Sequence, residues 1–276
     1  MKIAFIGGGN MAAALIAGLV KQSGTSIHVV DPNPEALQRL AQHYGASTAS
    51  SIDAGVADSD VVVLAVKPQQ MRDVAAALAP QLHQQLVLSI AAGIRRVDLA
   101  RWLGGYDAIV RTMPNTPALI GMGVTGMAAG PGVSAAQRAA ADAVMRAVGK
   151  TVWLDDEAQI DAVTAVSGSG PAYVFFFLEA MQEAARELGL SAEQGRALSL
   201  ATFTGAAQLA AQSDEAVDVL RQRVTSKGGT THAAMTSMEA SGVKQSIIAA
   251  IKAARARGRE LGEELGKELG KEQGKH

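Results

Sequence analysis

Ile3-Ala4-Phe5-Ile6-Gly7-Gly8-Gly9-Asn10-Met11-Ala12 decides the reading of the first half of the chain. Four apolar residues make a strand, three glycines end it, and helix-forming residues follow from Met11 to Lys21. From Gly7 to Ala12 the spacing is Gly-x-Gly-x-x-Ala. Alone, that spacing arises by chance in glycine-rich chains; set directly between a strand and a helix, it is the context a dinucleotide loop requires. Gly7 permits the tight turn, Gly9 lets the backbone approach a pyrophosphate, and Ala12 lets the helix pack closely on the strand. Backbone N–H groups and the helix dipole then hold the phosphate charge, so Ile6, Gly7, Gly8, Gly9, Asn10 and Met11 are expected to line the cofactor.

Outward from this loop, β-branched runs alternate with helical stretches. Ser26–Asp31, Val61–Val66, Leu86–Ile90 and Ala108–Thr112 read as strands; Glu35–His43 and Met71–Leu78 read as helices. Such interleaving predicts a parallel sheet covered on both faces, whose strands are apolar almost throughout, as Val61 to Val66 is. Val124–Ala128, a helix over Ser134–Val148 opened by the Ser134/Gln137 capping box, and the strand Thr151–Leu154 complete this half. After about Asp155 the strand signal ends. Ser169 as N-cap and Pro171 open a long helix, and Ser191 with Gln194 opens another. Tyr173 to Met181 is apolar on nearly every face, and burial against a second subunit is the simplest way to enclose it.

The expected fold is α/β: an N-terminal Rossmann-like doubly wound sheet over 1–155, then an all-helical dimerisation and substrate domain over 156–276. From Arg259 to His276 the chain repeats Glu-Leu-Gly about every fourth residue. Each glycine costs a helix roughly 0.8–1 kcal/mol relative to alanine, so this tail is expected to fray.

Asp31 ends the second strand about 20 residues beyond the loop, where an acidic side chain can accept from ribose hydroxyls and favour NADH. No basic residue occurs from Asp31 to Gln38 to offset it. The alternative is that Asp31 only starts the Asp-Pro-Asn-Pro turn, leaving Asn33 to donate to the 2′-phosphate of NADPH. Three further segments fall at the carboxyl ends of strands, where open α/β sheets bind ligands. In Ala65-Val66-Lys67-Pro68, Lys67 contacts phosphate, ribose or substrate, or is solvated at the rim. Ala91-Ala92-Gly93 leaves room for a flat ring. In Met113-Pro114-Asn115-Thr116-Pro117, Asn115 and Thr116 either line a nicotinamide pocket or only build the turn. The helical half holds two glycine-rich segments suited to a small carboxylate, Ser167–Tyr173 and Thr225–Thr231.

A net charge of -1 removes the positive field that a nucleic-acid partner needs. The absence of cysteine excludes disulfides, thiolate metal sites and cysteine nucleophiles, and fits a reducing cytoplasm. The five histidines show no ligand spacing with carboxylates, so no metal is expected. The apolar run after Met1-Lys2 is too short for a signal peptide, and no run reaches the roughly 20 residues of a membrane span. A soluble cytoplasmic protein is expected.

Taken in order, Met-Pro-Asn-Thr-Pro-Ala from Met113, Ser-Gly-Ser-Gly-Pro-Ala-Tyr from Ser167 and Val-Thr-Ser-Lys-Gly-Gly-Thr-Thr from Val224 resemble the pyrroline-5-carboxylate reductase family. The resemblance covers residues 1–258, including the dinucleotide loop and Ala65-Val66-Lys67-Pro68. It implies reduction of 1-pyrroline-5-carboxylate, a cyclic imine, to L-proline with NADPH or NADH. It further implies that Ser226, Gly228, Gly229, Thr230 and Thr231 bind the substrate, with Thr231 hydrogen-bonded to the ring nitrogen. Interlocked helical halves would make a homodimer, and the family also allows a decamer of five dimers. Lys227 stands where many relatives carry proline, and the tail lies outside the pattern.

Two other readings compete. A 3-hydroxyacid or 6-phosphogluconate-type dehydrogenase shares the two-part plan but needs a catalytic lysine after its second glycine-rich loop, and Ser169 to Gly189 holds none. A dinucleotide-sensing regulator without turnover needs no second glycine-rich loop such as Ser226–Thr231.

Overall fold

The computed structural model describes residues 1–271. The described residues divide into two compact units, one formed by residues 1–169 together with those from 254 onward and the other by residues 170–253.

The first unit begins with β1 (Lys2–Ile6), α1 (Asn10–Leu19), β2 (Ser26–Val30), α2 (Pro34–Tyr44), β3 (Ser47–Ala49) and α3 (Ala54–Ala57). It continues with β4 (Val61–Leu64), α4 (Met71–Leu78), β5 (Leu86–Ser89), α5 (Arg96–Trp102) and β6 (Ile109–Met113). Then come β7 (Gly123–Ala129), α6 (Ala135–Arg146), β8 (Gly149–Trp153) and α7 (Ile160–Val163). The strands form one eight-stranded sheet in the order β3-β2-β1-β4-β5-β6-β7-β8.

Strand alternation explains why these segments are apolar throughout. On β1, Ile3 and Phe5 enter one core with Leu15, Ile16 and Leu19 of α1 and Val144 of α6. Ala4 and Ile6 enter the other with Met71 and Leu78 of α4 and Leu99 and Trp102 of α5. Successive residues point to opposite faces, and both faces are covered, so neither set can be polar.

The sheet is parallel except where β7 runs against β6, pairing Met127 with Thr112. The sheet is thus mixed, not purely parallel as the interleaved strands and helices predict. The connection over residues 114–122 is too short for a helical crossover, so the chain can only turn back on itself. β8 returns parallel to β7 after α6, whose start carries the expected Ser134/Gln137 capping box.

Asp142 of α6 pins that edge strand, accepting from Thr151 Oγ1 at 2.6 Å, Trp153 Nε1 at 3.1 Å and Arg146 Nε. Burial alone would push the Asp142 carboxyl up, but the hydrogen bonds from Thr151, Arg146 and Trp153 and the Arg146 charge outweigh it. The group is held below the ordinary carboxylate range. A depressed folded pKa adds stability above the unfolded value of about 3.9, and that stability is lost as pH falls through the folded value. Asp142→Asn is therefore expected to cost about 1 kcal/mol at pH 7. In urea melts the gap to the parent protein closes as the pH falls through the depressed folded value of Asp142, below the ordinary carboxylate range.

The second unit holds α8 (Gly170–Glu187), α9 (Ala192–Gln212), α10 (Val217–Arg223), α11 (Thr230–Ala240) and the start of α12 (Val243–Lys271). The Ser191/Gln194 box is present. Ser169, however, is not an N-cap. Its backbone is helical, and its N–H donates to Thr164 O at 2.8 Å, closing a π turn over Thr164–Gly168 that leads into α8. The hydroxyls of Thr164 and Ser167 bond back to the carbonyls of Ile160 and Val163, a habit that bends helices instead of starting them.

Fraying from Arg259 is not found, since α12 continues to Lys271 with Gly262 buried. Residues 272–276 of that expected tail lie outside the described residues. No helix among the described residues is long and apolar enough to cross a membrane.

Candidate active site

β1 lies between β2 and β4, so the chain leaves the sheet in opposite directions on its two sides and opens a crevice at their carboxyl ends. The glycine loop sits in that fork. Gly7 N donates to Val30 O at 2.8 Å, and Ala65 N donates to Ile6 O at 2.8 Å. Gly7 has φ +103, and a Cβ there would lie 2.7 Å from the Ala65 carbonyl oxygen. At Gly9 a Cβ would meet nothing within 4 Å, so this side of the loop is open to a ligand. Gly9 caps α1 in an extended conformation with no side chain on the first-turn amides, which leaves the helix start available to phosphate.

A cleft of about 490 Å³ runs beside the loop. Ile6, Gly7, Gly9, Asp31, Ala65, Val66 and Lys67 line it, which is where the sequence places a dinucleotide. Ser50, Ser51, Ile52, Gln70 and Asp73 line it too and carried no sequence signal, because they come from turns and helix starts outside any motif. Pro68 starts a short 3₁₀ turn whose N-cap is Lys67. The open glycine loop, the uncapped helix and the cleft fit a dinucleotide pyrophosphate.

The Asp31 carboxylate is turned onto the backbone. Oδ2 accepts from Gly8 N at 2.6 Å and Oδ1 from Asn33 N at 2.8 Å. Asn33 Oδ1 in turn caps α2, accepting from Glu35 N at 2.9 Å. Its Nδ2 is not used in that cap. Arg39 of α2 reaches Gly8 O with Nη2 at 3.4 Å, bringing a guanidinium to the loop. It directly follows the Asp31–Gln38 stretch, and nothing in its position along the chain marks it as a partner of the loop.

Ala91, Ala92 and Gly93 follow β5, with Ala91 buried, Ala92 exposed and Gly93 at φ +76. Asn115 is buried and structurally engaged: Oδ1 accepts from Val124 N at 2.9 Å, and Nδ2 donates to Ser167 O at 3.2 Å. Thr116 is exposed and opens a 3₁₀ turn. Among the described residues, no group of three or more His, Asp or Glu side chains is arranged to hold a metal ion.

In the second unit, Ser226, Lys227 and Gly228 form an exposed turn, closed by Gly229 N donating to Ser226 O at 3.0 Å. Gly228 has φ +76. Gly229 caps α11 in an extended conformation and no side chain satisfies the first-turn amides, so Thr230 and Thr231 stand at an uncapped helix start. The Thr231 side chain is half-buried beside them. On α8, Phe175 and Phe176 are 64% and 75% exposed within one chain, which leaves the greasy helix for another surface to cover.

Comparison with known proteins bears on both units. Residues 157–261 match the family described as pyrroline-5-carboxylate reductase dimerisation, so the chain assembles with copies of itself. Residues 2–93 match the family described as NADP oxidoreductase, coenzyme F420-dependent. The pyrroline-5-carboxylate reductase of Pseudomonas aeruginosa is 50% identical over 259 residues, covering 93% of this chain and 95% of the relative. Among solved structures, the Coxiella burnetii pyrroline-5-carboxylate reductase superposes with TM-score 0.89 at 41% identity, covering 94% of this chain and 97% of that one. The Plasmodium falciparum pyrroline carboxylate reductase, solved with NADP bound, has TM-score 0.84 at 28% identity, over 95% and 98% of the two chains. With half its residues shared along nearly the full length of a relative, this chain belongs to the pyrroline-5-carboxylate reductase family.

Proposed function

We propose that this protein reduces the C=N bond of 1-pyrroline-5-carboxylate to give L-proline, the last step of proline biosynthesis, at the expense of NADPH or NADH. The observation that carries the reading is the uncapped start of α11 behind the Ser226–Gly229 turn, in a chain 50% identical to a reductase of this name. When bound, the reduced nicotinamide supplies hydride to the imine carbon, while the ring nitrogen keeps its proton and becomes the amine. The chain's own work is placement. Amides of Thr230 and Thr231, with Gly228, Gly229 and the Ser226 hydroxyl, receive the substrate carboxylate, as helix starts receive anions. Thr231 orients the ring nitrogen by a hydrogen bond. A threonine hydroxyl barely ionises near neutrality, so it positions the imine instead of serving as a strong acid.

Gly7–Met11 receive the pyrophosphate in this reading, while Ala65–Pro68, Ala91–Gly93, Asn115 and Thr116 line the rest of the cofactor. Asp31 is committed to the loop backbone, which favours Asn33 Nδ2 and Arg39 as partners for a 2′-phosphate and hence NADPH over NADH. Arg39→Ala is expected to lower kcat/KM about tenfold with NADPH and less than twofold with NADH. Equal losses with both cofactors would remove Arg39 from cofactor choice. The working form is a cytoplasmic dimer joined through the helical unit, with a decamer of five dimers as the larger assembly.

Thr231→Ala is expected to reduce kcat/KM for the imine about tenfold or more, near 1.4 kcal/mol. Unchanged kinetics would remove Thr231 from the mechanism. The test of the reading as a whole is a steady-state assay: adding the cyclic imine should drive oxidation of NADPH with matching formation of proline. Tight dinucleotide binding without oxidation would leave a sensor, not a reductase.

A further inference from the structure

We infer that the C-terminal segment Gly262–Gly266 clasps the turn after β5 and holds Ala91–Gly93 in position for the nicotinamide end of the dinucleotide. The segment begins where the family match ends, at residue 261, and belongs to the same compact unit as the turn. Gly262 and Gly266 are one helical turn apart on α12 and share a face. A Cβ at Gly262 would lie 3.3 Å from the Gly93 carbonyl oxygen. One at Gly266 would lie 2.6 Å from Arg95 Nη2 and 2.8 Å from Asp98 Oδ2.

Beside them, Leu265 packs on the apolar cluster that contains Ala91, Ile94 and Leu99. Its Cδ1 stands 3.1 Å from where a Cβ on Gly93 would be. Asp98, buried under this contact, accepts from Arg95 Nε at 2.8 Å and Arg101 Nη2 at 3.0 Å, which stiffens the surface on which the helix rests. Gly258, one turn earlier, would meet nothing within 4 Å, so close approach is confined to the stretch opposite the turn. The repeated glycines thus have a use that outweighs their poor helix propensity: they bring one backbone against another where a side chain would hold them apart. Ala91 is buried and Gly93 half-buried while Ala92 stays exposed, so the clasp fixes the turn and leaves one residue of it open.

This rests on the reading that places the nicotinamide beside Ala91–Gly93. Affinity for the dinucleotide comes mainly from the pyrophosphate end at Gly7–Gly9, whereas hydride transfer is sensitive to small displacements of the ring. In the full chain, Leu265→Ala and Gly262→Leu are therefore expected to lower kcat about tenfold while Kd for NADPH stays within about twofold. Glu263→Gln, on the exposed side, should change neither. Fluorescence lifetime of bound NADPH reports the nicotinamide surroundings without turnover, and in both variants it should shift toward the value of free NADPH. An unchanged or raised kcat, or a lifetime equal to that of the parent, overturns the clasp. A parent protein that binds NADPH but never oxidises it with the imine overturns the proposed reaction instead, and the lifetime comparison then decides the clasp alone.

Discussion

Alanine at position 7 is expected to raise the Kd for NADPH about a hundredfold, near 2.7 kcal/mol, with a parallel loss in kcat/KM. Gly7 lies at φ +103, where an L side chain is strained by roughly 1–2 kcal/mol before any contact is counted. The added Cβ would then stand 2.7 Å from the oxygen and 2.9 Å from the carbon of the Ala65 carbonyl. Neither atom can swing aside, because Ala65 is tied to β1 through its N–H bond to Ile6 O at 2.8 Å. Relief has to come from the loop, and moving the loop moves the Gly8 amide off Asp31 and turns the start of α1 away from the phosphate. Fluorescence titration of Gly7→Ala with NADPH measures the effect. A Kd within a fewfold of the parent would mean that the loop does not hold the dinucleotide.

Gly149→Ala should damage the fold and spare the cofactor. Gly149 pairs with Gly123 where β8 joins β7, and its φ is +151. A Cβ would lie 1.9 Å from the Gly123 carbonyl oxygen and 2.6 Å from its nitrogen, a separation no side-chain rotation relieves. The first residue of β8 must lift off the sheet. That also strains the Thr151 and Trp153 bonds to Asp142 that hold the edge strand to α6. A loss of about 3 kcal/mol is expected, lowering Tm by roughly 6–12 °C. Residual folded protein should bind NADPH as the parent does, since the glycine loop lies across the sheet from β8. Calorimetry with and without NADPH separates the outcomes, and an unchanged Tm would contradict the close pairing of the two glycines.

The contrast between these glycines shows what the sequence made legible. Gly7 belongs to a spaced motif between a strand and a helix, so its role could be read from position alone. Gly149 stands in no motif; its need for a bare α-carbon comes from Gly123, far away along the chain, and only the register of two strands brings them together. The same division holds elsewhere. Continuous apolar strands announced the doubly covered sheet, and the serine–glutamine boxes announced two helix starts. β3 went unread because Ser47–Ala49 is a short edge strand, mostly polar and lacking a buried pattern. The reversal of β7 depends on how far a loop can reach, which residue types do not encode.

At the candidate site, the loop, Asp31 and the strand-end segments were visible as residues, but where Asp31 points was not. A carboxylate at the end of β2 can reach a ribose or its own backbone, and only coordinates distinguish the two. Arg39 was missed for the same reason: its relation to Gly8 is made by α2 folding back over the loop. The tail misled because helix propensity counts only the local cost of glycine, whereas the compensation lies in contacts with Gly93 and Leu265's apolar neighbours.

The central claim is that hydride passes from a reduced dinucleotide to the carbon of a cyclic imine. NADPH carrying two deuterium atoms at nicotinamide C4 tests it directly when incubated with the enzyme and 1-pyrroline-5-carboxylate in ordinary water. Mass spectrometry and NMR of the product should find one deuterium per proline, on the former imine carbon, which is the neighbour of nitrogen that does not carry the carboxylate. Proline without that label, or no proline while the dinucleotide stays bound and reduced, would contradict the account.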